Sequence, residues 1–99
     1  MTTAIIVYRG DASAKFDRAY YVQVHLPLVR DVYGPFGLES IDAFFPAEGD
    51  SGTIAIAMCQ FRNEEAAKAA FASARASELK ADVVNFTDVV PARLRLVDF

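Results

Sequence analysis

The chain has one histidine, His25, in the stretch YYVQVHLPL, four residues after a tyrosine pair and two before Pro27. An imidazole titrates near pH 6.5, so this side chain can act as a general acid or base at neutral pH. At the end of a helix, a histidine can instead hydrogen-bond to a free backbone carbonyl. Taken by itself, the local pattern favours this second, structural interpretation.

A second polar cluster lies in the stretch KADVVNFTD. Asp82 and Asn85 are three residues apart, a spacing that can place both on one face of a helical turn. Asn85 can donate and accept, which suits holding a carbonyl or enol oxygen, and one of the two can orient His25 as a carboxylate orients an imidazole. Local capping of a turn is the alternative.

Two tyrosines are further candidates for binding a ligand. The hydroxyls of Tyr8 and Tyr20 can bond to a ligand oxygen, although aromatic side chains on a core stripe more often only pack. For Cys59 we expect buried packing, because the chain has no second thiol. Arg93 and Arg95 share one face of the last predicted strand, where they can meet an anionic ligand or, as we expect, form a solvated edge.

The sequence lacks the residues that several common types of functional site require. One histidine and one cysteine do not supply a zinc site, and the chain has neither a phosphate-binding loop nor a Gly-x-Ser-x-Gly elbow. A lone histidine is a weak basis for haem ligation. We therefore predict no metal and no cofactor.

Composition narrows the partners and the compartment. The 99-residue chain has a net charge of −3 and no cluster of basic residues, so we expect no nucleic-acid partner. No apolar run approaches the roughly 18 residues of a membrane span, and the N-terminus lacks the features of a signal peptide. A single cysteine suits a reducing cytoplasm, which is the predicted location.

The hydrophobic pattern predicts the element order β-α-β-β-α-β. Pro27 should end or kink the first helix near His25, and Pro91 places the last strand at a sheet edge or a bulge. Asp11 or Ser13 can cap the first helix, and Asn63 the second. The predicted strands are 3–9, 38–46, 53–61 and 89–99, and the predicted helices are 13–25 and 64–76, with less regular helical turns in 28–33 and 77–89. The order is that of a ferredoxin-like α+β fold.

The third strand, TIAIAMCQF, is apolar on both faces. Ile54, Ile56 and Met58 alternate with Ala55, Ala57, Cys59 and Phe61. Two helices can cover only one side of the sheet, and a large bare apolar face is uncommon on a soluble monomer. We therefore predict a homodimer packed sheet to sheet. The alternative is a monomer whose C-terminal part folds over the open face.

With these elements in place, the sequence resembles the EthD family, named after a protein encoded with an ethyl tert-butyl ether degradation system. The resemblance covers nearly the whole chain, as one EthD-like domain over residues 1–99. It rests on VYRG at the end of the first strand, on the His-x-Pro-Leu element at His25, and on the Asp-x-x-Asn-Phe element from Asp82 to Phe86.

The resemblance implies a dimeric α+β barrel with a cavity beside the sheet of each subunit. It favours a cavity-lining, catalytic role for His25, with Asp82, Asn85 and Phe86 of the second element as substrate-binding residues. Tyr8 and Tyr20 join them as substrate-binding residues because their hydroxyls can bond to a ligand oxygen. The ligand expected is a small apolar or aromatic molecule from a degradation pathway. Acid–base chemistry by His25 would be of the isomerase, cyclase or cofactor-free monooxygenase type. The alternative is a non-catalytic ligand-binding or structural dimer.

Overall fold

The computed structural model describes residues 1–48 and 51–97, which contain one antiparallel sheet of four strands in the order β2-β3-β1-β4. The strands are β1 (Thr2–Arg9), β2 (Leu38–Phe44), β3 (Thr53–Phe61) and β4 (Ala92–Leu96). This topology confirms the predicted ferredoxin-like α+β fold. β3 has the predicted bounds, and β4 lies at the sheet edge, as Pro91 indicates.

Two predicted strands are longer than the observed ones. β2 ends at Phe44, two residues before the predicted end at Pro46. β4 begins only at Ala92, because Pro91 has no amide hydrogen to donate to the sheet. The last two residues of the predicted closing strand, 98 and 99, lie outside the described residues.

The first helical region is one composite helix, residues 18–33, formed by α1 (Arg18–Tyr20), a π-helical segment (Tyr21–His25) and α2 (Leu26–Tyr33). A short 3-10 turn, Gly34–Phe36, follows it. The prediction of a helix over 13–25 was therefore wrong at both ends. The cap is Asp17, whose side chain accepts from the Tyr20 N–H at 3.0 Å, whereas Asp11 closes a separate turn on Ser13.

Pro27 does not end this helix, because the hydrogen-bond ladder has already shifted when the chain reaches it. The Leu26 N–H donates to the Tyr21 carbonyl, five residues back. Pro27 then falls in the first turn of α2, where a missing amide hydrogen is tolerated. The helix thereby continues for two more turns and keeps His25 in its interior.

The second helical region is divided. α3 (Glu64–Phe71) is capped by Asn63, whose side chain accepts from the Ala66 N–H at 2.8 Å, as predicted. A tight turn separates it from α4 (Ala76–Asp82), and a 3-10 turn, Val83–Asn85, follows. The predicted helix over 64–76 thus ends at Phe71, because the Ser73 N–H turns back to the Ala70 carbonyl, three residues away.

The helices cover one face of the sheet. On β3 the side chains of Ala55, Ala57, Cys59 and Phe61 are buried, whereas Ile54, Ile56 and Met58 are only partly buried. Ile54, Ile56 and Met58 form an apolar surface on the other side of the sheet, which we call the open face. It also includes Ile5, Phe44, Leu94 and Leu96. Within the described residues, the C-terminal part joins the sheet as β4 and does not fold over the open face. The predicted dimer stays a prediction.

Candidate functional site

A cavity of about 610 Å³ lies between the covered face of the sheet, the composite helix and α4. Its volume is in the usual range for a site that takes a small organic molecule. Small side chains on β3, such as Ala57, leave this space, and the helix faces it with every fourth residue. The helix contributes Tyr21, His25, Val29 and Tyr33, and β1 contributes Ile6 and Tyr8.

His25 is 5% exposed and lies on the cavity wall. Its Nδ1 is 2.9 Å from Oδ2 of Asp82. A carboxylate only accepts hydrogen bonds, so Nδ1 carries the hydrogen and donates it, and the lone pair of the neutral ring is on Nε2. Nε2 has no hydrogen-bond partner among the described residues. In that part of the chain, the Ser73 hydroxyl is the only polar side-chain atom that is fully buried and has no partner. Nε2 also has no partner, so it is not fully buried and is accessible from open space.

Asp82 ends α4, and its side chain, 12% exposed, accepts three hydrogen bonds. Oδ2 accepts from His25, while Oδ1 accepts from the Tyr20 hydroxyl at 2.7 Å and from Nδ2 of Asn85 at 2.9 Å. Burial by itself would raise the pKa of Asp82, but the bonds from Tyr20, Asn85 and His25 together outweigh burial and lower it. Asp82 is therefore ionised at neutral pH.

The imidazole is enclosed by aromatic rings. The Tyr21 ring is stacked on it with the centroids 5.5 Å apart, and the Phe86 ring lies 4.7 Å away. Burial lowers the pKa of His25 below its ordinary value of 6.5, and Asp82 opposes this effect without cancelling it. The pair is thus a neutral imidazole beside a carboxylate, with a basic nitrogen toward the cavity.

Tyrosine hydroxyls provide the other polar groups of the wall. Tyr8 and Tyr21 are buried edge to face with ring centroids 5.5 Å apart. Burial raises the pKa of both phenols, so both stay protonated and can donate a hydrogen bond. Tyr21 and Tyr33 were not among the predicted site residues. Their four-residue spacing with His25 and Val29 is the signal that could have found them, had the helix been continued past Pro27.

The predicted site residues separate into two layers. His25 and Tyr8 line the cavity. Tyr20, Asp82, Asn85 and Phe86, predicted as substrate-binding residues, do not line it. The first three form the hydrogen-bonded cluster behind the imidazole, because the end of α4 faces the composite helix, and Phe86 is fully buried against the ring.

Cys59 lies on the cavity wall, and burial raises the pKa of its thiol to about 12. It therefore behaves as a small apolar side chain. Among the described residues, no group of three or more histidine, cysteine or acidic side chains is arranged to hold a metal ion. None of the helices in that part of the chain has the length and apolar character needed to cross a bilayer.

A family model described as the EthD domain matches residues 9–89. The chain is similar to the structure of an EthD-like protein from Ralstonia eutropha JMP134, with a TM-score of 0.82, 22% identity and coverage of 96% of this chain and 89% of that one. An ethyl tert-butyl ether degradation (EthD) family protein from Bacillus halodurans C-125 gives a TM-score of 0.74 at 17% identity, with both chains fully covered.

A structure described as an antibiotic biosynthesis monooxygenase gives a TM-score of 0.55 at 14% identity and covers 100% of this chain and 99% of that one. No curated protein matches the chain in sequence. At identities below 25%, these structural likenesses establish the shared fold.

Proposed function

The chain belongs to the EthD family, and from this premise we propose that it binds a small apolar or aromatic molecule in the cavity and that His25 moves a proton on that molecule. A fold of this kind carries many chemistries, so the reaction has to be inferred from the site. The observation that carries the proposal is a neutral imidazole, fixed at Nδ1 by Asp82 at 2.9 Å, on the wall of a largely apolar cavity.

In the proposed step, Nε2 of His25 takes a proton from an acidic C–H or O–H group of the bound molecule. The imidazolium that forms is stabilised by the adjacent Asp82 carboxylate. The negative charge left on the ligand spreads onto an oxygen, and the protonated hydroxyl of Tyr8 is available to donate to it, while the Tyr21 hydroxyl donates to Tyr8. Return of the proton to another atom completes an isomerisation or a cyclisation.

A cofactor-free oxygenation begins with the same removal of a proton from an electron-rich molecule. One structurally similar protein is described as an antibiotic biosynthesis monooxygenase, which makes this variant of the proposal worth testing. The three reaction types share the first step, so a test of that step bears on all of them. No cofactor is part of the proposal.

The step can be tested with nitrobenzisoxazole, an apolar aromatic probe that loses one carbon-bound proton to a base and opens to a coloured phenolate. We expect catalysis by the wild-type protein and a loss of roughly 100-fold or more in kcat/KM for His25→Ala, the range of general-base catalysis. Unchanged turnover in a folded His25→Ala variant would contradict the proposal. Probe binding without any turnover by the wild-type protein would instead favour a non-catalytic ligand-binding protein.

We also propose the homodimer packed through the open face. Its support is the exposure of large apolar side chains there, including Phe44 at 52% and Leu94 at 44%, on a side that no described helix covers. Leu94→Asp should give a monomer in sedimentation, whereas Val90→Asp, in a loop outside the sheet, should not. A wild-type monomer at micromolar concentration would refute the dimer.

The cytoplasmic location and the role in a degradation pathway also stay proposals. The first is supported by the single, buried thiol of Cys59, which needs no oxidising compartment. The second is supported only by the family to which the chain belongs.

A further inference from the structure

Arg93 lies on the edge strand β4 but faces the side of the sheet that the helices cover. In the register of the sheet it pairs with Ile6 of β1, and Ile6 in turn pairs with Ala57 of β3. Paired residues in an antiparallel sheet point to the same face. All three residues line the cavity. Arg93 is therefore part of the cavity wall, and because its side chain is also exposed, it lies at the solvated edge that the sequence suggested.

The guanidinium of Arg93 is stacked on one aromatic ring, that of Phe71. Its central carbon lies 3.9 Å from the centroid of the Phe71 ring, and the Tyr33 ring is 5.6 Å from that of Phe71. Burial raises the pKa of Tyr33, and the positive charge of Arg93 opposes this rise. A planar cation stacked on an aromatic face keeps its N–H groups free to donate.

Within the described residues, Arg93 has no carboxylate within salt-bridge distance. Arg95, two residues along the same strand and on the same face, is paired with Glu64. A second depression of about 490 Å³ adjoins the cavity, shares Phe71 and Arg93 with it, and is also lined by Lys68 and Arg95. Lys68 and Arg95 share the carboxylate of Glu64, and Arg93 adds a further positive charge, so this end of the cavity has an excess of positive charge.

His25 and the Arg93 cluster lie at different places along the composite helix. His25 precedes Tyr33 by eight residues of helix, which corresponds to roughly 12 Å at the usual rise per residue. The wall between them is mainly apolar and includes Val29 and Leu79. Lys80 adds another cation to the lining and Asp88 one anion.

We propose that the ligand is an elongated apolar or aromatic carboxylate, whose carboxylate binds Arg93 while its far end reaches His25. The inference rests on the proposed function, because it names the class of molecule that the same cavity takes. A guanidinium suits this task because its two parallel N–H groups match the two oxygens of a carboxylate. Elongation is required because a single-ring acid bound at Arg93 would not extend to the imidazole.

The test uses two fluorescent probes of equal size, an anthracene carboxylate substituted at the end of the long axis and the corresponding neutral carboxamide. Their dissociation constants are measured for the wild-type protein, for Arg93→Gln and for Arg93→Lys. Arg9→Gln is the matched control, because Arg9 is an exposed arginine at the end of β1 that lines neither cavity. Circular dichroism and thermal unfolding establish that each variant is folded.

We expect the wild-type protein to bind the carboxylate about tenfold or more tightly than the carboxamide, the scale of a charge-assisted hydrogen bond. Arg93→Gln should abolish this preference, Arg93→Lys should keep part of it, and Arg9→Gln should leave it unchanged.

Equal binding of both probes by the wild-type protein, or a preference that survives Arg93→Gln, would overturn the role of Arg93 and leave the cavity as an aromatic site. Failure of both probes to bind would overturn the inference and ligand binding together. Loss of proton transfer alone, in the nitrobenzisoxazole assay, would leave the carboxylate site standing.

Discussion

Replacing Asp82 with asparagine should separate the activity of the site from its stability. The change keeps the shape of the side chain but removes its charge and replaces one acceptor oxygen with an NH2 donor. The amide oxygen can still accept from Tyr20 and Asn85, as Oδ1 does. The NH2 group then faces Nδ1 of His25, which can accept a hydrogen bond only if the imidazole moves its hydrogen to Nε2.

The stability cost follows from the three hydrogen bonds. A bond to a charged acceptor contributes about 1.5–3 kcal/mol and a neutral one about 0.5–1.5, so each of the two remaining bonds loses about 1 kcal/mol. With the disturbed bond to His25, we expect a loss of about 2–3 kcal/mol in the free energy of unfolding. Asp31→Asn is the matched control: its side chain is 67% exposed beside Arg75, and an exposed pair contributes about 1 kcal/mol or less.

The effect on activity should be much larger. In the changed tautomer the nitrogen that faces the cavity is a donor and no longer a base, so Asp82→Asn should lose roughly 100-fold or more in kcat/KM, close to the loss for His25→Ala. Nitrobenzisoxazole turnover gives the rate and urea unfolding gives the stability. A folded Asp82→Asn variant that turns over the probe at close to the wild-type rate would refute the assigned tautomer and the role of Asp82.

Three further results are expected. The free energy of unfolding should fall on acidification, because the pKa values of His25 and Asp82 are both lower in the folded protein. The contribution of His25 is present above pH 6.5 and is lost as the pH falls toward the lowered pKa of the folded imidazole. The contribution of Asp82 is lost below pH 3.8, as the pH passes the lowered pKa of the folded carboxyl group. Urea titrations across this range test this, and His25→Gln should remove the first phase. Cys59, with a pKa of about 12, should react with a disulfide reagent at pH 8 only after the protein unfolds. Reaction of the folded protein at the rate of a free thiol would contradict the burial of Cys59. Asn63→Ala should cost about 1 kcal/mol in urea unfolding through loss of the α3 cap, whereas Asn63→Asp should cost little.

The strands could be predicted from the sequence more closely than the helix that carries His25. β3 combines β-branched and apolar residues between clear turn signals, and its bounds were as predicted. The rule that a proline ends or kinks a helix failed at Pro27. The effect of a proline depends on whether another residue at that position would have used its amide hydrogen in the helix. The π-helical segment before Pro27 shifts the hydrogen-bond ladder, and the helix propensities of the residues Tyr21 to His25 do not predict that shift.

For the site, the residue types could be predicted but not the layer in which each lies. Asp82 and His25 are 57 positions apart, and only the packing of α4 against the composite helix brings them together. Tyr20 and Tyr21 are neighbours of the same type, yet one faces Asp82 and the other the cavity. A single residue of helical rotation decides between these roles, and the uncertain start of the helix left that rotation undetermined.

The position of Tyr20 and Asn85 also explains why His25 can be neutral beside a carboxylate. A buried carboxylate with a single partner would draw a proton onto the imidazole, because an unbalanced buried charge is costly. Here two neutral donors already stabilise the charge of Asp82, and burial among Tyr21 and Phe86 disfavours the imidazolium. Nε2 can therefore be unprotonated before a ligand binds. An unprotonated nitrogen is the state that a general base requires.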